Sequence, residues 1–338
     1  MPALPVGDRA AALGNAVGEA VSDLVETAGT VGRDALDRAG IAAGRVPGIG
    51  TGLRWLLHWL ATVVSAAGDM VATLLKVVVE LVVAAVVAVL RLVAGAIHPL
   101  GRRAAGRRTF VQGTGEVASS LVGPVVVTAG KGLALVQAVL WGQRGERPLT
   151  ADEHARLEEV FRGAVALHNV RVVDGFSGLF GVNVRPFTLG NTIYMKGYLR
   201  RRGPERYAAT LVHEAVHVWQ NQNVGTRYAV QALWAQLTID DRYNWEKELT
   251  RGRTRWSELN REAQAQLVMH IWQHGRGPND QGSAGDGPGT GSFFADDPIA
   301  PGARVRFGGT DHTALARTAT AAVRGARPSR YSRRLRRH

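Results

Sequence analysis

Residues 203–225 read GPERYAATLVHEAVHVWQNQNVG, and this stretch organises everything around it. Gly203-Pro204 is a suitable helix start, because proline at the first turn lacks only an N–H that the helix would leave unpaired anyway. Tyr207, Leu211, Val212, Ala215, Val216 and Trp219 supply apolar surface at helical spacing, and Gly225 offers a stop. On such a helix His213 and His217, four residues apart, stand one above the other, so that both imidazoles reach a single ion. Glu214 lies beside them, where a carboxylate can take a proton from water on a metal without being a ligand itself. The plain alternative is a pair of histidines packed in an ordinary helix.

The chain contains no cysteine, which excludes disulfides, thiolate metal sites and cysteine nucleophiles and leaves His, Asp and Glu as the metal ligands available. A catalytic zinc site takes three protein ligands and keeps one position open. A third histidine six residues beyond His217 is excluded, since Asn223 stands there and Gln220 replaces the glycine that usually intervenes. Asp240 with Tyr243 fits a second pattern superficially, but the glycine-threonine that usually precedes it is absent. A glutamate from a later helix is the third pattern, and residues 256–266 suit it. Ser257 can cap that helix, Glu262 lies one turn in, and the small Ala263 and Ala265 allow close packing. Glu262 is the expected ligand, with Asp240, Glu246, Glu258 and His270 as the alternatives.

The His-Glu-x-x-His-Val-Trp-Gln core of residues 213–220, combined with the later Asn260-Arg261-Glu262-Ala263-Gln264-Ala265 segment, resembles the glutamate-type zincins. Within them it is similar to bacterial metallopeptidase-like proteins often associated with toxin or contractile-injection cassettes. The second segment carries an alanine where a glutamine is common in that group, and residues 232–236 are also similar to it. The resemblance covers about residues 180–274. It implies a Zn2+ cofactor held by His213, His217 and Glu262, Glu214 as general base, and hydrolysis of a peptide or protein substrate. The fold class expected is α+β, mainly helical, with a zincin-like domain preceded by an apolar helical region.

A strand usually precedes the motif helix in such folds, and an exposed edge there pairs with extended peptide. Residues 188–195, rich in β-branched and aromatic side chains, fit that role, with an internal strand as the alternative. Asn191, Tyr194, Tyr243 and His270, with His274 beside it, are candidates for substrate contact or for stabilising a developing oxyanion. Trp219, Trp234, Trp245, Trp256 and Trp272 are read as core of the helical lobe.

The net charge of +13 is local rather than spread out. Eight arginines and no acid lie between Thr313 and His338, and Arg102, Arg103, Arg107 and Arg108 share one short stretch. No broad basic face follows, and specific nucleic-acid binding is not expected. Four regions are expected: an amphipathic helical segment at 1–50, an apolar helical region at 51–145, the zincin-like domain at 146–276, and a disordered linker with a basic tail at 277–338. Gly14 and Gly18 form a small-xxx-small pair that carries little weight in so glycine-rich a chain.

In residues 69–98, Asp69, Thr73, Lys76, Glu80, Arg91 and His98 fall on one stripe of a helix whose other faces are Val, Leu and Ala. A helix apolar over most of its circumference is buried in protein or in lipid. Residues 53–142 are therefore expected to associate with a membrane, the bacterial inner membrane, with a soluble hairpin sheltering its own stripe as the alternative. No basic start followed by an apolar core marks a secretory signal, so a cytoplasmic location or specialised export are the other locations weighed. Two rival functions accompany the peptidase reading. One is a zinc-bearing adaptor or cargo domain without catalysis, and the other is a membrane-active effector whose apolar half carries the activity.

Overall fold

The computed structural model describes residues 6–45, 47, 49–97, 122–140, 146–175, 178, 180, 185–197, 202–226, 228–229, 231–232, 243–278 and 292–325. Asp240, Trp141, Trp234, His98, the arginine stretch at 102–108 and the arginines from Arg327 onward lie outside the described residues. The architecture is α+β and mainly helical. It divides into two compact units, one of residues 1–142 with Asn223–Val230, the other of residues 143–222 and 231–338.

The first unit is built from α1 (Val6–Ala43), α2 (Gly50–Ile97) and α3 (Val122–Val139). α1 and α2 form an antiparallel hairpin. The spacing of their contacts is regular: a Cβ placed on Gly18 would meet Val79, Gly29 lies on Gly68, and Gly40 on Leu57. The steps are eleven residues on both helices, three turns at about 3.67 residues each, a period that keeps one face of each helix toward the other over a long distance. Gly29 and Gly68 let the backbones approach until a Cβ on either would sit 3.3–3.4 Å from the other's Cα. Gly18, discounted in the sequence as one half of a chance pair, is thus part of an interface set by glycines at 18, 29 and 40. α3 runs antiparallel to α2, with Lys131 Nζ 2.6 Å from Asp69 Oδ2 and Trp59 Nε1 donating to the Ala138 carbonyl at 3.1 Å.

The second unit opens with β1 (Glu146–Pro148), α4 (Ala151–Phe161) and β2 (Arg171–Val173). A hairpin follows, β3 (Phe187–Leu189) and β4 (Thr192–Tyr194). The sheet order is β1-β2-β4-β3, with β2 and β4 parallel and the other neighbours antiparallel. Residues 188–195 are therefore not one strand. Gly190, at φ +62°, and Asn191 turn the chain, because that left-handed backbone suits a residue with no Cβ. β4 becomes internal, and β3 is left at the edge.

The motif helix is α5 (Pro204–Val224), begun at Pro204 and followed by Gly225 at φ +85°. After it come α6 (Trp245–Thr250) and α7 (Arg261–His274). α7 begins three residues later than its sequence pattern implied. Asn260, not Ser257, caps it, accepting from the Ala263 N–H at 3.0 Å, while residues 256–258 form a separate 3-10 turn. An amide oxygen that can reach the N3 donor sets the start of the helix.

The disordered linker and tail expected from residue 277 are corrected by the structure for residues 292–325. There the chain forms a second sheet, β5 (Gly275–Arg276), β6 (Arg304–Phe307) and β7 (Thr310–Asp311), and then α8 (Thr313–Gly325). α8 buries Ala316, Ala319, Thr320 and Val323, one face at helical spacing. Two of the tail arginines pin it to the unit. Arg317 donates to the carbonyls of Ile299, Ala300, Pro301 and Ala303, and Arg324 to those of Glu159, Val160, Phe294 and Asp296. Irregular backbone folded over a core needs donors for its carbonyls, and guanidinium groups supply several at once.

Candidate metal centre

α5 is held in place before any ligand is considered. Tyr207, on its first turns, donates its hydroxyl to Glu153 Oε1 at 2.7 Å and accepts from Arg147 Nη2 at 2.9 Å. Arg147 also bonds both oxygens of Glu153 and reaches Asp174, and Glu153 completes a capping box with Thr150 at the start of α4. Burial by itself raises the Glu153 carboxyl, yet the Arg147 guanidinium, the Thr150 N–H and the Tyr207 hydroxyl together hold it down at about 2. Tyr207 counted in the sequence as apolar helix surface. Its polar end ties β1, α4 and α5 together.

Two turns further along, His213, Glu214 and His217 are all buried, and Glu262, in the first turn of α7, is 2% exposed. The Nε2 atoms of His213 and His217 lie 3.5 and 3.4 Å from one oxygen, Glu262 Oε2. The three groups form a cluster whose ligand atoms all lie within 4.8 Å of one another. Donors about 2.0–2.2 Å from a tetrahedral zinc ion stand roughly 3.3–3.6 Å apart. The two Nε2–Oε2 separations match that edge length, so the residues present fit the ion.

Charge points the same way. Burial disfavours the His217 imidazolium, but the Glu262 carboxylate beside it overcomes that effect and raises the imidazole to about 9. Glu262 is likewise opposed by its burial and is nevertheless held far below the usual carboxylate range by His217 and His213. A carboxylate so placed calls for a positive partner, which is a proton or a metal ion.

The outer contacts orient these groups. His217 Nδ1 lies 2.9 Å from Gln220 Oε1, which accepts its proton and leaves Nε2 as the nitrogen that meets a proton or a metal ion at Glu262. Gln220 Nε2 in turn donates to Gln264 Oε1 and to the Arg261 carbonyl, both on α7, each at 3.1 Å. Gln264 Nε2 donates to the Trp256 carbonyl at 2.9 Å. Thr188, on the edge strand β3, has its hydroxyl 2.9 Å from Glu214 Oε2 and 3.0 Å from the Glu214 carbonyl oxygen, and its single proton serves one of these at a time. The sequence reading missed Thr188, Gln220 and Gln264. Gln220 was legible in principle, three residues after His217 on the same helix face, whereas nothing in the sequence joins Thr188 to Glu214.

The remaining candidates separate clearly. Tyr243 lies beside the cluster, its ring centroid 5.9 Å from that of His213. Tyr194 is paired across the hairpin with Phe187 and stacked on it at 4.6 Å. Alternation along a strand puts it on the sheet face opposite to Thr188, away from Glu214. Asn191 is buried, its amide oxygen accepting from Gln222 at 3.0 Å and from Asn221 at 3.4 Å. His270 receives the Trp245 indole N–H on Nδ1 at 3.0 Å and has Gln266 2.7 Å from Nε2, while burial and the nearby His274 and His213 lower it to about 4. With His274 it packs on Phe307, at centroid distances of 4.5 and 5.0 Å. Asn191, Tyr194 and His270 are thus accounted for by packing and hydrogen bonding. Of the rival carboxylates, Glu258 bonds the backbone N–H of Arg255 and Glu246 faces His312 at 3.8 Å.

Comparison with known proteins finds no matching family model, no matching curated protein and no matching solved structure.

Proposed function

We propose that the second unit is a zinc-dependent peptidase of the zincin type, with His213, His217 and Glu262 as ligands and Glu214 as general base. One observation carries this reading: two imidazole Nε2 atoms from α5 converge on one oxygen of Glu262 at 3.5 and 3.4 Å, with Glu214 next to both. A bound zinc ion supplies Lewis acidity to a water and to a scissile carbonyl. The protein's own part is to hold and move the proton. Glu214 Oε1 and Oε2 are the acceptors available, and the Thr188 hydroxyl fixes the carboxylate while leaving lone pairs for that task. Thr188 sits on the edge strand β3, so an extended peptide laid along that edge brings a carbonyl toward Glu214. Tyr243, against His213, is the side chain we assign to the developing oxyanion.

The test combines elemental analysis with a peptide library. The purified chain should carry about one zinc per molecule. Glu262→Ala should lose most of it, whereas Glu214→Gln should retain it and lose cleavage. Tyr243→Phe should retain zinc and slow turnover. Zinc bound at His213, His217 and Glu262 without cleavage of any peptide would leave the adaptor reading standing in place of the peptidase. Normal zinc content in Glu262→Ala would remove Glu262 from the site.

A further inference from the structure

The first unit is built inside out. Its interior holds Arg33 and Ser65, hydrogen-bonded to each other, with Asp23, Glu26, Thr73 and Lys76 also buried. The apolar residues buried with them are almost all alanine: Ala61, Ala66, Ala72, Ala134 and Ala138, with Val127. Larger hydrophobic side chains point outward. Leu24 and Val31 on α1, Val71 and Val78 on α2, and Val125 and Val136 on α3 are about half exposed or more. Among the described residues, every large hydrophobic side chain left exposed lies between Val17 and Leu140, and none belongs to the second unit. Water would select the opposite arrangement in the first unit, the one the second unit has.

α1 is the informative helix. Its acids mark it in the sequence as an amphipathic segment apart from the apolar region. In the structure Asp23 and Glu26 turn inward, as do the stripe residues Thr73 and Lys76 of α2, while Asp69 meets Lys131 of α3. The apolar face of α1 is the one left outside.

The registers of the helices set a thickness. Gly18 lies against Val79 and Gly40 against Leu57, while Lys131 meets Asp69 and Ala138 meets Trp59. Residues 17–38, 59–80 and 122–139 therefore share one level. Segments of that length rise about 27–33 Å, which is the thickness of a bilayer's hydrocarbon layer, about 30 Å. Across that level, every exposed position whose side chain is described is Val, Leu or Ala, except Arg38 at its boundary. At one edge, near the turn between α1 and α2, Arg38, Arg45, Arg54 and Trp55 join Ile41, Ile49, Leu53 and Leu56 among the exposed residues. Basic and indole groups at such an edge suit a lipid headgroup layer.

We infer that the first unit is a bundle embedded in lipid hydrocarbon, and that α1 enters the bilayer together with α2 and α3, with Asp23 and Glu26 turned to the bundle interior. The match of thickness, the inward ion pairs and the small-residue contacts select acyl chains as the occupant of the outer face, since helices in lipid associate through small and polar residues while large apolar ones face outward. This inference is independent of the metal centre.

The chain lacks cysteine, so single cysteines report position directly. Leu24→Cys, Val71→Cys and Val125→Cys, with Thr51→Cys as the exposed control, are made in the full chain and reconstituted into phosphatidylethanolamine–phosphatidylglycerol vesicles. The three outward positions should react with a charged maleimide on the order of tenfold more slowly than position 51, because a thiol in hydrocarbon stays protonated and out of reach of the reagent. A fluorophore attached at each of them should be quenched by brominated acyl chains, and one at position 51 should not. Release of the chain by carbonate as a monodisperse soluble species overturns the inference. So does equal protection of the three cysteines in detergent-free buffer through self-association, which would make a second copy the occupant. Protection of Val71 and Val125 without Leu24 overturns the placement of α1.

Discussion

His217 is held by two partners that do different things. Glu262 presents the negative charge on one side of the ring, and Gln220 takes the Nδ1 proton on the other, so Nε2 is the nitrogen left to bind a proton or a metal ion against Glu262. Outer groups of this kind typically contribute 10–100-fold to metal affinity. Gln220→Ala should therefore weaken zinc binding by about that factor in a chelator competition, while Gln220→Glu, which keeps an acceptor, should restore much of it. An unchanged affinity in Gln220→Ala would mean that the hydrogen bond does not orient the ligand. At the same scale, Tyr207 shows how one polar atom changes a residue's role. Its ring belongs to the apolar side of α5, but its hydroxyl, between Glu153 and Arg147, connects the motif helix to β1 and α4.

At the scale of elements, α8 depends on its two arginines. Arg324, with its side chain 7% exposed, satisfies carbonyls of α4 and of the loop after Phe294. Removing a buried donor that serves several acceptors leaves them unpaired, at roughly 1–3 kcal/mol for each group that water does not reach. Arg324→Ala should therefore lower the thermal midpoint of the second unit by several degrees, read by circular dichroism or calorimetry, and should increase proteolysis within residues 292–325. A midpoint unchanged by the substitution would return α8 to the status of a loosely attached tail. α7 illustrates a different dependence. Asn260 sets where the helix begins, and Glu262, the proposed ligand, sits within its first turn, so its position rests on a cap two residues before it.

For the molecule as a whole, the two units differ in what they leave exposed, large hydrophobic side chains in the first and none among the described residues of the second, and they should respond to different challenges. The second unit is closed by the Arg147–Glu153–Tyr207 network, and because the folded state depresses the Glu153 carboxyl to about 2, its contribution is fully present above the ordinary glutamate value of about 4.5. It is lost as pH falls from there toward 2. Arg147 is partly exposed, so solvent screening keeps this contribution on the order of 2 kcal/mol. Acid titration of unfolding should show the loss in that window, and Arg147→Met should flatten it; an equally steep acid limb in the variant would assign the transition to other carboxylates. Much of this organisation is local enough to read in one dimension. His213, Glu214 and His217 follow from helical periodicity, the start at Pro204 and the stop at Gly225 from backbone restrictions, and the mainly helical class from the long apolar patterns. Glu262 was reached from the sequence through its resemblance as well as its helix context, and its meeting with the two histidines is a tertiary fact. Thr188 beside Glu214, Gln220 bridging to α7, the loss of Tyr194 to the far sheet face, and Arg317 and Arg324 as clasps were decided only by the folded chain. So was the direction in which the acids of α1 point. Periodicity tells which residues share a face, but which medium that face meets is settled by what packs against it.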